Sequence, residues 1–132
     1  MKRINEALSV RAVLAPQSVA ASTEKTSAYV DLSGVEEVAF LISAAALGEG
    51  KSLTVKLVTA SDAEGSNAEE IGTAKFTDGV GTEAQVAVVT YRPNALHGRY
   101  AAVKFQHDGS AAVVCGVTVA VDGLWLPAGN GW

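Results

Sequence analysis

The chain has 132 residues, of which 48% are hydrophobic and 18% charged, so it can fold around one core and is not a disordered segment. Its formal net charge is −4 and its lysines and arginines form no cluster, which disfavours binding to nucleic acid and anchoring to a membrane by a basic patch. No apolar run approaches the ~18 residues of a spanning helix. The single cysteine, Cys115, excludes an intramolecular disulfide and has the apolar neighbours of a buried residue.

The N-terminal residues 1–9 begin with basic side chains but lack a continuous apolar segment, because Glu6 and then Arg11 interrupt it. They therefore do not form a convincing signal peptide. We interpret them as a loosely attached arm. Weak strands follow at residues 10–14 and 27–32.

The most apolar stretch of the chain is residues 38–47, which follows a turn predicted by Asp31, Ser33 and Gly34. Apolar residues occupy both phases of its two-residue alternation, which is typical of a strand covered on both sides. A helix over 36–47 is the alternative, since Glu and Ala favour it. The β-branched and aromatic residues at the centre favour the strand.

Four further strands are predicted by alternating apolar residues at 51–59, 85–91, 100–107 and 113–121, and a weak strand is predicted at 71–76. The segment 48–51 predicts a hairpin loop between the first of these and the 38–47 strand. Asp108 and Gly109 predict a second hairpin turn, between the last two strands. The loop 60–70 is rich in Ser, Asp and Asn and is expected to be a solvated insertion.

Seven or eight strands without a long helix predict an all-β fold, an antiparallel β-sandwich or jelly roll in one domain over residues 1–132. Both tryptophans lie beyond the last strand, in a tail of residues 124–132. We expect Trp125 to fold back over one end of the sandwich. An apolar residue at a terminus, such as Trp132, is usually docked, and a neighbouring subunit is one candidate.

The reactive side chains do not form a recognisable constellation. His97 lies in a loop and His107 at a strand end, and both are interpreted as surface residues, since zinc needs three or four converging ligands. Glu36 and Glu37 are adjacent in an extended segment and face opposite sides, so they cannot form a glycosidase pair. The acids near Asp62 could bind calcium, but residues 62–67 do not match an EF-hand loop. Because nucleophile elbows, phosphate loops and dinucleotide fingerprints are also absent, we expect no enzyme, no cofactor and no metal site.

Two segments, residues 29–65 and 97–124, resemble small virion structural proteins of tailed bacteriophages and cover about half of the chain. The first has an Asp-Leu-x-Gly approach, an apolar strand, a glycine-containing loop and an alternating strand. The second has an Arg-Tyr pair opening a strand, a glycine turn and a last strand rich in Ala and Val. The resemblance implies a capsid decoration or cement protein, which is β-rich, lacks a cofactor and binds the major capsid protein on the outer surface of the virion. Such a protein is made in the cytoplasm of the host bacterium.

This interpretation predicts that the ends of the chain make the contacts, with the capsid or with other subunits of a homodimer or homotrimer. The candidate contact residues are Ile4, Leu8, Trp125, Leu126, Pro127 and Trp132. A tail or head–tail connector protein is one alternative. A small carbohydrate-binding β-sandwich module is another, although aromatic residues make up only 6% and form no obvious platform.

Overall fold

Nine β-strands account for the regular structure of residues 8–123, the part of the chain that the computed structural model describes. No helix occurs in this part, and the all-β prediction is confirmed. The strands are β1 (Leu8–Val19), β2 (Lys25–Thr26), β3 (Val30–Asp31), β4 (Val35–Ala44), β5 (Ser52–Ala60), β6 (Glu69–Thr77), β7 (Gln85–Tyr91), β8 (Tyr100–His107) and β9 (Val113–Gly123).

The strands form two antiparallel sheets. Sheet A has the order β1-β9-β4-β7, and sheet B has the order β2-β8-β5-β6, with β3 also paired to β8. The pairs are nested along the chain, because β1 pairs with β9, β2 and β3 with β8, β4 with β7 and β5 with β6. An antiparallel ribbon rolled up in this way is a jelly roll, so the topology selects the jelly roll from the two predicted forms.

Both predicted hairpins are wrong. β4 and β5 lie in different sheets, and so do β8 and β9, so the two turns carry the chain from one sheet to the other. The turn signals themselves are real: Gly48 and Gly50 have positive φ, and the Asp108 carboxylate accepts the Ser52 N–H at 2.6 Å. Local turn chemistry indicates where the chain reverses, whereas long-range pairing decides which sheet the next strand joins.

The segment 38–47 is a strand over most of its length, and the helix alternative is wrong. Val38, Phe40 and Ile42 on β4 are fully buried between the sheets. The opposite phase is only half-buried, at Ala39 and Leu41, so no further layer formed by residues 8–123 covers that side of sheet A. This departure from the expected two-sided burial identifies the surface considered below.

The predicted strand at 27–32 contains only the two residues of β3, and β2 ends just before it. Between them the Ser27 N–H donates to the Val103 carbonyl of sheet B, and the next N–H, that of Ala28, donates to Val13 in β1 of sheet A. The chain therefore links the two sheets here, which a continuous strand in one sheet would not do.

Candidate functional site

The predicted contact residues lie at the ends of the chain. Five of them, Ile4, Trp125, Leu126, Pro127 and Trp132, fall outside the described residues. Leu8 is the first residue of β1, half-buried and opposite Asp122 of β9. Since β9 ends at Gly123, the described chain begins and ends at the same end of sheet A.

The outer side of sheet A is a continuous surface without charge. In its central row Leu41 lies opposite Val88 on one side and Thr118 on the other, and Thr118 lies opposite Ala12. We call this surface the uncharged face. It consists of Val10, Ala12, Ala39, Leu41, Ser43, Val86, Val88, Thr90, Gly116, Thr118 and Ala120.

Large apolar side chains on this side of sheet A are open to solvent. Val86 is 58% exposed and Val88 49%, and at the start of β9 Val114 is 52% exposed. In the same rows of the described strands, charge appears only where the chain termini leave the sheet, at Glu37 and Asp122. A contiguous apolar surface bordered by polar residues is typical of a protein interaction site.

The outer side of sheet B is different. Its rows carry Lys75 opposite Thr54 and Lys104 opposite Lys56. The Lys56 ammonium lies 3.6 Å from the Glu24 carboxylate and 4.0 Å from that of Glu70. Such a mixture of charges is typical of a surface that faces water, so the two sides of the sandwich are not equivalent.

One buried carboxylate, that of Asp78, holds two loops at one end of the sandwich. Asp78 is 2% exposed and accepts four backbone N–H groups, from Leu47 and Gly48 on one oxygen and from Val80 and Gly81 on the other. These bonds, first of all that from Gly81, lower the pKa of the carboxyl from its ordinary 3.8. Asp78 therefore fixes two loops against each other and holds no proton for chemistry.

The interpretation of His107 as a surface residue is wrong. The ring is 1% exposed, its Nδ1 accepts the Gly109 N–H at 3.0 Å, and its Nε2 lies 2.7 Å from the Val19 carbonyl. Since Nδ1 is an acceptor, Nε2 carries the proton and donates it to Val19. A position at a strand end suggested exposure, but the turn folds over the ring. His97 is only partly exposed, with its Nδ1 2.7 Å from the Glu69 carboxylate.

The Arg-Tyr pair that opens β8 has a structural contact. The Arg99 guanidinium donates two hydrogen bonds to Asp31 at the end of β3, of 2.9 and 2.8 Å, and lies 5.5 Å from the centre of the Tyr100 ring. These bonds hold the pKa of Asp31 well below its usual range and raise that of Arg99. The Arg99–Asp31 ion pair therefore joins the end of β3 to the start of β8 in sheet B.

The remaining candidate chemistry is also accounted for. The Asp62 carboxylate accepts the N–H groups of Glu64 and Ser66 and so closes its own turn. Burial raises the pKa of the Cys115 thiol, which keeps it in the unreactive protonated form. Among residues 8–123, no three His, Cys, Asp or Glu side chains are grouped so that they could hold a metal ion. In the same range there is no helix suited to crossing a membrane.

A cleft runs between the edge strands β6 and β7, where the sandwich is open. It contains two cavities of about 330 and 350 Å³. The first lies between Ile42 and Ala87 of sheet A and Leu53 and Phe76 of sheet B. The second is bordered by Tyr91 and His97, whose ring centres are 6.4 Å apart. The walls of both cavities are mainly apolar.

The fold is similar to domains of larger proteins of known structure. PBSX exported protein XepA matches at 10% identity with a TM-score of 0.65, over 96% of this chain and 41% of that chain. A structure of infectious bursal disease virus, Gx strain, matches at 10% identity with a TM-score of 0.56, over 92% of this chain and 33% of that chain. Dimeric latent PorU from Porphyromonas gingivalis matches at 14% identity with a TM-score of 0.50, over 88% of this chain and 13% of that chain.

These similarities show the fold alone, because the identities are low, and this chain spans less than half the length of each of the three proteins. No protein-family model matches the chain, and no curated protein sequence matches it. The function therefore has to be argued from the surface of the molecule.

Sequence reasoning missed the uncharged face. A signal was present in β7, where Val86 and Val88 alternate with the equally apolar Ala87 and Val89. Apolar residues in both phases predict a covered strand, and within residues 8–123 nothing covers the outer phase.

Proposed function

We propose that this chain is a non-enzymatic virion structural protein of the capsid decoration class, which binds the lattice of the major capsid protein through the uncharged face of sheet A. The observation that carries this proposal is the contrast between the two outer surfaces of the sandwich. Sheet B presents lysines and glutamates to water, whereas sheet A presents exposed valines.

The size of the uncharged face suits such contacts. Four strands spaced by roughly 4.8 Å are about 19 Å wide, and ten residues at roughly 3.3 Å are about 33 Å long. The resulting area of roughly 600 Å² approaches the ~800 Å² that each partner contributes to a stable interface. A capsid offers many equivalent sites, so one modest contact for each copy is sufficient for assembly on the shell.

The ends of the chain are assigned to the same contact. Leu8 lies opposite Asp122 at one end of sheet A, so the described residues begin and end beside the uncharged face. The tail supplies Trp125, Leu126, Pro127 and Trp132, and the arm supplies Ile4. Aromatic residues are favoured at the centres of protein interfaces. We therefore assign the arm and the tail to the same capsid contact.

The fold and the sequence resemblance support the proposal in different ways. Residues 29–65 and 97–124 resemble phage virion proteins, and the fold is similar to parts of PBSX exported protein XepA and of an infectious bursal disease virus structure. The buried polar side chains of Asp78 and His107 hold loops in place.

The experiment compares one substitution on each face. Thr118→Lys places a charge at the centre of the uncharged face, and Thr54→Lys places the same charge at the centre of the sheet B surface. Both threonines are half-buried in inner strands, so the variants are matched. Occupancy is measured by sedimenting capsids assembled from the major capsid protein of the same phage with each variant.

We expect Thr118→Lys to reduce occupancy at least tenfold, because a lysine desolvated in an apolar contact costs more than ~1.4 kcal/mol. Thr54→Lys is expected to bind like the unmodified protein. Equal binding by both variants contradicts the proposed face. Failure of the unmodified protein to bind capsids, together with its presence in isolated tails, contradicts the decoration role and supports the tail alternative.

A further inference from the structure

The two sheets present edge strands whose backbone groups are not used within the sheet, and most of these edges are protected. β1 contains Arg11 and Pro16, and its register shifts twice against β9. β6 carries Glu69, Glu70 and Lys75, and its register shifts against β5. The edge formed by β2 and β3 consists of two pieces of two residues each. Charges, proline, bulges and short strands are the usual means by which proteins prevent pairing at an edge.

The edge strand β7 has none of these features. Residues 85–91, Gln-Val-Ala-Val-Val-Thr-Tyr, contain no charge, proline or glycine, and their register against β4 is uninterrupted from Gln85 to Tyr91. Val86 and Val88 are exposed beside the open edge. A strand of this composition and length is well suited to adding another strand.

We propose that β7 pairs with β7 of a second copy of this chain, antiparallel and about a two-fold axis at Val88. An isologous contact of this kind uses one surface twice. With Val88 opposite itself, Val86 lies opposite Thr90 of the other copy, and all cross-strand pairs on the outer side are β-branched. Pairs of this type stabilise a sheet by roughly 0.2–1 kcal/mol each, in addition to the backbone hydrogen bonds.

The register brings no like charges together. Continuing the pairing by one step past the strand places Arg92 of one copy opposite the uncharged Ala84 of the other. Arg92 is 81% exposed and lies 3.9 Å from Glu37 of its own chain, so its charge keeps a partner within the same copy.

The pairing has a consequence for the surface. Two copies joined at β7 form one eight-stranded sheet, and their uncharged faces become continuous across the axis. The inference does not depend on the proposed capsid role, because it concerns the purified protein by itself. A purified protein that is dimeric but fails to bind capsids would contradict only the proposed function. A monomeric protein that binds capsids would contradict only the pairing of β7.

The test compares Val88→Lys with Val114→Lys. Both valines are about half exposed on the outer side of sheet A, but Val88 lies at the centre of β7, whereas Val114 lies in the inner strand β9. The molar mass in solution is measured by sedimentation equilibrium, and circular dichroism shows that each variant is folded. We expect twice the chain mass for the unmodified protein and for Val114→Lys, and the chain mass for Val88→Lys.

A mixing experiment tests the two-fold axis itself. Val88→Lys and Val88→Glu copies are each expected to be monomeric, since like charges meet at the axis, and an equimolar mixture is expected to restore twice the chain mass as a heterodimer. A monomeric unmodified protein at millimolar concentration overturns the inference. A dimer that persists in Val88→Lys, or a mixture that remains monomeric, also overturns it.

Discussion

Substitution of the buried His107 tests how the turn after β8 is held. His107→Phe retains a ring of similar size but removes both hydrogen bonds, leaving the Val19 carbonyl and the Gly109 N–H without their partners. Each buried backbone group left unpaired costs roughly 1–3 kcal/mol, so the expected loss is roughly 2–6 kcal/mol. That is a large part of the ~5–15 kcal/mol that stabilises a domain, and it corresponds to a fall in Tm of roughly 6–20 °C.

The assay is urea denaturation followed by circular dichroism, with His97→Phe as the matched control. His97 pairs with Glu69 at a partly exposed position, where such a contact contributes only about 0–1 kcal/mol. The free energy of unfolding should therefore fall much more in His107→Phe than in His97→Phe. Equal losses in the two variants would refute the assignment of His107 as a bridge between β1 and the turn at Gly109.

Two further predictions concern the loops. Asp78→Asn replaces one acceptor oxygen with a donor that faces N–H groups, so Tm should fall at neutral pH. Because the folded carboxyl has the lower pKa, its stabilisation is present above pH 3.8 and is lost as the pH falls through the lowered value. The difference in Tm between the two proteins should therefore narrow in acid, and a constant difference would contradict the account. A Cβ at Gly98 would collide with the backbone of Ala60, whereas Gly72 has open space. Gly98→Ala should lower the free energy of unfolding by roughly 1–3 kcal/mol and Gly72→Ala by less than ~0.5 kcal/mol, as calorimetry can check.

The individual strands were predictable because each carries its own alternation. The pattern from Val113 to Val121 predicts a strand with one buried phase, and the structure confirms it. The partners of the strands were not predictable from local signals. Gly48 and Asp108 mark real turns, but nested pairing sends the chain into the other sheet at both places.

The candidate site was less predictable than the fold. The sequence directed attention to the ends of the chain, where only Leu8 is among the described residues. The uncharged face is built from every second residue of four strands, and Val10 and Val88 are 78 positions apart along the chain. Their common surface follows from the sheet order, which alternation within one strand cannot supply. His107 was misplaced for the same reason, since its partner Val19 lies 88 residues away.

The measurement that tests the proposed capsid role most directly is a particle reconstruction of virions that carry this chain. The account predicts a jelly-roll density on the outer surface of the head, with the side containing Thr118 towards the major capsid protein and the side containing Thr54 towards solvent. Density in the tail, or a bound molecule with the Thr54 side against the capsid, would contradict it.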